Sequence, residues 1–310
     1  MEQTAHFPEA WFPPVEENQG EYRNTLQQGL ERMRGRTAVV TGLARNIAPF
    51  LERTQARIER LGGMFADYRV VLYENDSRDD TLERLQQWER DNPKVSVLTE
   101  ILGDPIHPTS RCLDRASRMA YYRNQYRQFI RDRFPDYDYV IVLDTDLAGG
   151  WSYEGVMNTF GRDDWDFVGS NGIIYKRHGM KPNLCLQYDA WAYRELGNED
   201  PLPTKLVNDM FWKRGDSLEP VFSCFGGLGV YRAEAFLASQ YSGGDIEHVG
   251  FHQGIREKGF TKLYLNPSQI TLYGRHHRTH DRVVLGVQRA LHSLGISQRP
   301  SWRFPSRRAA

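Results

Sequence analysis

The sequence predicts an α/β protein built on a doubly wound, Rossmann-type, mostly parallel sheet with helices on its faces. The first observation behind this is an alternation: the short apolar runs TAVVTG, YRVVLYEN, KVSVL and YVIVL are separated by segments with helical spacing of apolar residues. The second is density, because four β-units follow one another within about 110 residues, with turn chemistry at their ends. Parallel strands joined by crossover helices are the natural outcome. At 310 residues the chain is also long enough to bury a sizeable core.

Residues 1–36 read as an N-terminal arm and helix, with Tyr22, Leu26, Leu30 and Met33 at helical spacing before Gly35. The main domain is expected over 37–275. Its first half, 37–147, contains the four β-units, and a looser half, 148–275, carries the apolar segments DFVGSNGIIY, EPVFSCFGGLGVY and TKLYLNP. A basic tail, 276–310, closes the chain. Ligands of such sheets lie beyond the carboxyl ends of the strands, so functional residues are expected just after Val40, Tyr73 and Leu143.

Lys plus Arg (40) equals Asp plus Glu (40), so no global field steers the protein toward nucleic acid, and no reader motif occurs. Three widely spaced cysteines, Cys112, Cys185 and Cys224, support neither a zinc knuckle nor a disulfide framework. Met1–Pro14 lacks the features of a signal peptide, and no apolar stretch is long enough to span a bilayer. A cytoplasmic protein is expected. The basic tail offers a peripheral contact to the inner membrane surface, and a solvated terminus fits the same residues.

Asp144-Thr145-Asp146 closes the apolar strand YVIVL, and alternate residues of a strand point to one side. Two carboxylates there suit a hard divalent cation, which takes one or two carboxylates plus substrate phosphates; a solvated turn is the alternative. After the second strand, Glu74 and Asn75 stand at the strand end, where an acid can accept hydrogen bonds from a ribose or a base. Asp79 or Asp80 further along that loop is assigned to helix capping. Gly226-Gly227 gives backbone space for a sugar, and a bulge or tight turn would want glycine equally.

Together TGLARN, YENDSRDDT, RMAYYRN and VLDTDL resemble the nucleotide-sugar half of GT-A glycosyltransferases. With FSCFGGLGVYR and EHVGFHQGIREKGF following in order, the chain is most similar to the cryptococcal capsule mannosyltransferase type, over roughly Thr37 to Pro267. The resemblance implies a GT-A-like fold and transfer of a sugar to a glycan or lipid-linked acceptor in surface polysaccharide synthesis. It implies a donor such as GDP-mannose, or a UDP-sugar, held with Mn2+ or Mg2+. Thr41 and Arg45 would lie against the nucleoside, Glu74 would contact base or ribose, and Arg123 and Asn124 would reach the nucleotide sugar. Asp144 and Asp146 would manage ribose and metal, Gly226 and Gly227 would floor the sugar site, and Glu247 or Asp245 would be the base of an inverting enzyme. Either acid could instead serve the first turn of a helix. A third metal ligand would come from His276 or His277, which as surface histidines have a blander reading. The rivals are a sugar nucleotidyltransferase, for which TGLARN lacks the glycine-rich phosphate loop, and a non-catalytic nucleotide- or sugar-binding module of the same fold.

Overall fold

The computed structural model describes residues 7–105, 113–176, 184–210 and 212–273. Helix α1 (Gln19–Arg34) leads into β1 (Thr37–Ala44), α2 (Ala48–Gly62), β2 (Asp67–Asn75), α3 (Thr81–Asp91), β3 (Val95–Glu100), α4 (Leu113–Arg133) and β4 (Tyr139–Leu143). There follow β5 (Gly150–Trp151), α5 (Tyr153–Phe160), β6 (Phe167–Lys176), β7 (Leu184–Gln187), β8 (Arg194–Glu195), α6 (Thr204–Asp209) and β9 (Glu219–Ser223). The last described elements are β10 (Leu228–Arg232), α7 (Ala233–Ala238), α8 (Glu247–Glu257) and β11 (Leu263–Tyr273).

All the described strands join one 11-stranded sheet ordered β3-β2-β1-β4-β10-β6-β11-β9-β8, with β5 added on β11 and β7 on β6. The α/β class expected from the sequence is the one observed. Strands β3, β2, β1 and β4 are mutually parallel, β10 runs against both β4 and β6, and β6 and β11 are parallel again. The segment EPVFSCFGGLGVY thus holds two strands, and its glycines make the turn between them. The looser half after Leu147 does not form a sheet of its own; it extends the first one.

Successive residues of the central strands feed opposite faces. Val39, Val71 and Val142 pack with Tyr126 and Ile130 of α4 and Phe251 of α8. Val40, Leu72 and Ile141 pack instead with Leu51 and Ile58 of α2 and Trp88 of α3. Both faces of β4 are covered, and its apolar run ends at Asp144.

The loops after β1 and β2 are laced to each other. Asp79 accepts the Thr81 N–H at 3.1 Å and the Ala48 N–H at 3.2 Å, so it serves the first turns of both α3 and α2, while Asp80 makes no side-chain cap bond. Ser77 accepts from the Asn46 N–H at 3.0 Å, and Asn46 accepts from the Arg78 N–H at 2.8 Å.

The N-terminal arm is integral to the described structure. Phe7 and Phe12 stack at 5.4 Å and pack on Ile173, Ile270 and Leu272. Buried Arg214 ties them down, donating to the Phe12 carbonyl at 3.0 Å and pairing with Glu9. No helix among the described residues is long and apolar enough to cross a membrane.

Candidate functional site

The site begins where β4 ends. The Asp144 N–H donates to the Gly227 carbonyl at 2.9 Å, and Thr145 donates from its hydroxyl to the Leu43 carbonyl at 2.6 Å, so the turn is fixed from both neighbouring strands. Thr54 and Arg57 of α2 add donors to the carbonyls of Thr145 and Leu147, each at 2.9 Å. On this rigid backbone the Tyr188 hydroxyl donates to Asp144 Oδ2 at 2.7 Å, and the Tyr188 ring stacks on Tyr273 at 4.5 Å.

Burial pushes the Asp144 carboxyl up to about 6, against the pull of Arg123 and with the repulsion of Asp146 added. Asp146 is raised as well, by burial first. Two desolvated carboxylates that repel each other suit a hard divalent cation whose remaining positions phosphate and water fill. Among the described residues no group of three or more His, Cys, Asp or Glu forms a metal site, so the described residues offer this pair alone there. His276 and His277, the expected third ligands, lie outside the described residues.

Arg123, buried on α4, organises the opposite wall. Its Nε donates to Glu247 Oε1 at 3.2 Å, Nη1 donates to the Tyr126 hydroxyl at 3.2 Å, and Nη2 lies 3.8 Å from Asp144 Oδ1. One guanidinium therefore spans the β4 acids and the first turn of α8. Glu247 is 4% exposed, and its second oxygen, Oε2, has no protein hydrogen-bond partner. Next to it, His248 stacks on Phe225 at 3.9 Å, its Nε2 lies 4.0 Å from Glu247 Oε1, and neither ring nitrogen has a protein hydrogen-bond partner. Burial, then the charge of Arg123, holds His248 far below the usual imidazole range, so it is neutral at pH 7.

Around β2 and β3 lies a cavity of about 380 Å³ lined by Arg45, Glu74, Asp76, Arg78, Glu100 and Asp104, among others. Glu74 is held at both oxygens, accepting from the Ser77 N–H and the Thr99 hydroxyl at 2.8 Å each. Asn75 donates to Asp76 at 2.9 Å and faces no opening of its own. Asp76 in turn accepts the N–H groups of Leu102, Gly103 and Asp104 at 2.9–3.1 Å. Burial opposes it, yet these donors and Arg45 keep the Asp76 carboxyl below its usual range. Arg45 braces the same loop through the Pro105 carbonyl at 3.2 Å.

Three expected contacts are corrected by this geometry. Thr41 is wholly buried and its hydroxyl donates to the Val71 carbonyl at 2.7 Å, so it braces β1 on β2 and faces no nucleoside. Asn124 exchanges two hydrogen bonds with the Tyr241 backbone, each 2.9 Å, because it sits one helical step round from Arg123 and points along α4 rather than into the site. Asp245 pairs with buried Arg194 at 2.9 Å and accepts the Ile246 N–H at 2.7 Å, so its carboxylate anchors the loop before α8. Gly226 and Gly227, both at positive φ (65° and 85°), form the turn beneath Tyr188. A Cβ on Gly227 would come within 3.1 Å of the Tyr188 ring. Asp189 and Tyr188, on the loop after β7, were not singled out in the sequence. No periodicity marks them, and the Asp-plus-aromatic pattern of YDAW is the signal that was there to use.

No protein-family model matches the sequence, and no curated protein matches it. Similar solved structures include the mannosyltransferase PcManGT from Pyrobaculum calidifontis in complex with GDP-Man and Mn2+. It shares 12% identity at a TM-score of 0.45, over 89% of this chain and 73% of that one. Glucosyl-3-phosphoglycerate synthase from Mycobacterium tuberculosis, in complex with Mn2+, UDP and glucosyl-3-phosphoglycerate, shares 14% identity at a TM-score of 0.46, over 87% and 83%. GalNAc-T7 with UDP, GalNAc and Mn2+ shares 17% identity at a TM-score of 0.46, over 77% of this chain and 44% of that one, so the chain spans less than half its length.

Proposed function

We propose that the chain is a metal-dependent glycosyltransferase of the GT-A type, moving a sugar from a nucleotide-sugar donor to a glycan or lipid-linked glycan. The observation that carries this reading is the convergence of the Asp144/Asp146 pair, the Arg123–Glu247 pair and the Arg45/Glu74 cavity at the carboxyl ends of the parallel strands. Bound at Asp144 and Asp146, Mn2+ or Mg2+ would supply positive charge for the diphosphate leaving group. The chain's own residues do the rest. The cavity beside Glu74 and Arg45 takes the nucleoside. Glu247, fixed through Oε1 by Arg123, presents Oε2 to an acceptor hydroxyl; in an inverting reaction it takes that hydroxyl's proton as the oxygen attacks the anomeric carbon.

The resemblance of FSCFGGLGVYR and EHVGFHQGIREKGF to the cryptococcal capsule mannosyltransferase type favours GDP-mannose as donor, with a UDP-sugar second, and a surface polysaccharide as product. The test is nucleotide release from GDP-mannose, UDP-glucose and UDP-GlcNAc with and without Mn2+, in the wild type and in Asp146→Ala. Release from one donor that requires metal and is lost in the variant supports the reading. Metal-dependent binding of a nucleotide without release from any donor would favour the non-catalytic module.

A further inference from the structure

Carboxylates elsewhere in this molecule are held by cations or by backbone N–H groups. Asp245 has Arg194, Asp138 has Arg36 and the Thr37 N–H, and Asp79 has the N–H groups of Ala48 and Thr81. Asp144 is held differently. Its Oδ2 accepts from a phenol, the Tyr188 hydroxyl at 2.7 Å, while Arg123 Nη2 stands 3.8 Å from Oδ1, beyond hydrogen-bond reach. A guanidinium bonded directly to Asp144 would offset the charge that a cation needs. A neutral phenol fixes the carboxylate and leaves that charge in place.

The phenol is itself held by three segments. Tyr188 directly follows β7, and its backbone N–H donates to the Gly172 carbonyl on β6 at 2.9 Å. Its ring lies flat against that of Tyr273, the last residue of β11, with centroids 4.5 Å apart and planes 8° from parallel. A side chain at Gly227, in the turn before β10, would meet the same ring at 3.1 Å. Tyr273 also acts on Asp146, through a hydrogen bond that pulls that carboxyl down against burial. Two stacked tyrosines from the second half of the chain thus reach the two acids that end β4 in the first.

We propose that Tyr188 is a positioning residue for the metal-binding pair: its hydroxyl, aimed by the stack on Tyr273, holds Asp144 Oδ2 and leaves Oδ1 as the oxygen offered to the divalent cation. This rests on the reading of Asp144 and Asp146 as the metal site, and it extends that site to a residue of the other half. Without the hydroxyl the carboxylate is free to turn about its Cβ–Cγ bond, and that freedom must be given up again when the ion binds. Removing such a hydrogen-bonding partner of a ligand lowers metal affinity about 10–100-fold.

Tyr188→Phe removes the hydroxyl and keeps the ring for the stack. Mn2+ is titrated into the protein alone and with GDP or UDP, read by the thermal midpoint and by the EPR signal of the free ion. Thr41→Val is the comparison, since it too loses a hydroxyl hydrogen bond inside the fold, to the Val71 carbonyl and away from the acids. Tyr188→Phe is expected to need at least about tenfold more Mn2+ for the half-maximal effect, with nucleotide release returning to within about threefold of wild type at saturating Mn2+. Thr41→Val is expected to bind Mn2+ as the wild type does. Mn2+ binding by Tyr188→Phe within about threefold of wild type would overturn the proposal and leave the metal site standing. An equal loss in Thr41→Val would overturn it too, because the effect would then follow stability and not position. So would release that stays more than about tenfold down at saturating Mn2+, since excess ion makes good a positioning defect. If the wild type binds no Mn2+ in any of these titrations, the metal site itself fails and the inference falls with it.

Discussion

Asp144 is a residue whose folded environment works against its charge. Its carboxyl stands at about 6 in the folded protein, against about 3.9 for an unfolded chain. At a pH well below the unfolded value it is protonated in both states and contributes nothing. As pH rises from there through 6, the unfolded chain ionises more readily, so stability is lost, on the order of 3 kcal/mol by pH 8. Asp144→Asn without metal is therefore expected to raise the thermal midpoint at pH 8 and to lose that advantage near pH 4; a variant less stable than wild type at pH 8 would contradict the assignment. Thr41 illustrates the opposite case. Its hydroxyl belongs to the fold, so Thr41→Val should cost about 1 kcal/mol of unfolding free energy and leave nucleotide binding unchanged. The two residues separate what a sequence can tell. Asp144 and Asp146 were legible because two acids ended a run that was apolar throughout, whereas Thr41 sits inside its strand, and only the register with β2 reveals that its hydroxyl is spent on Val71.

At the scale of elements, α4 and the β9–β10 turn decide the geometry of the site. Helix α4 points Arg123 inward between Asp144 and Glu247, while a rotation of about 100° per residue carries Asn124 to the Tyr241 backbone. The motif RMAYYRN marks the right helix, but it does not say which of two neighbouring polar residues faces in. Turn Gly226–Gly227 is more demanding. A Cβ on Gly226 would lie 2.1 Å from the Ser170 carbonyl oxygen at a φ of 65°, so Gly226→Ala combines a backbone clash with left-handed strain. A loss on the order of 3 kcal/mol in denaturant unfolding is expected. Read alone, these glycines left a sugar floor and a tight turn nearly level, and the resemblance favoured the floor. The structure has a tight turn here, and its Gly227 carbonyl supports Asp144.

For the whole molecule, one continuous sheet makes the two halves interdependent, and the N-terminal arm is stitched to the second. Arg214 joins Glu9, the Phe12 carbonyl and Ser152, so segments separated by some 200 positions meet in one buried network. Arg214→Met would leave Glu9 with the Ser152 hydroxyl and Glu154 N–H but without its cationic partner and should cost about 3 kcal/mol, read as an earlier unfolding midpoint with faster amide exchange over residues 9–18. The alternation of apolar runs and helical segments made the parallel half of the sheet readable. The antiparallel insertion of β10 was not, because strand order depends on pairings between distant segments that no local pattern encodes.

The central claim is that Asp144 and Asp146 hold a metal through which a nucleotide diphosphate binds. The most direct measurement is the thermal midpoint of the protein with GDP, UDP, CMP and ADP, each with and without Mn2+, for the wild type and Asp146→Ala. A ligand at 100 times its dissociation constant adds about 2.7 kcal/mol, which such a measurement resolves readily. The account predicts that one nucleotide stabilises the wild type only together with metal and that Asp146→Ala abolishes the effect. Stabilisation independent of metal, or the same shift in Asp146→Ala, would contradict it.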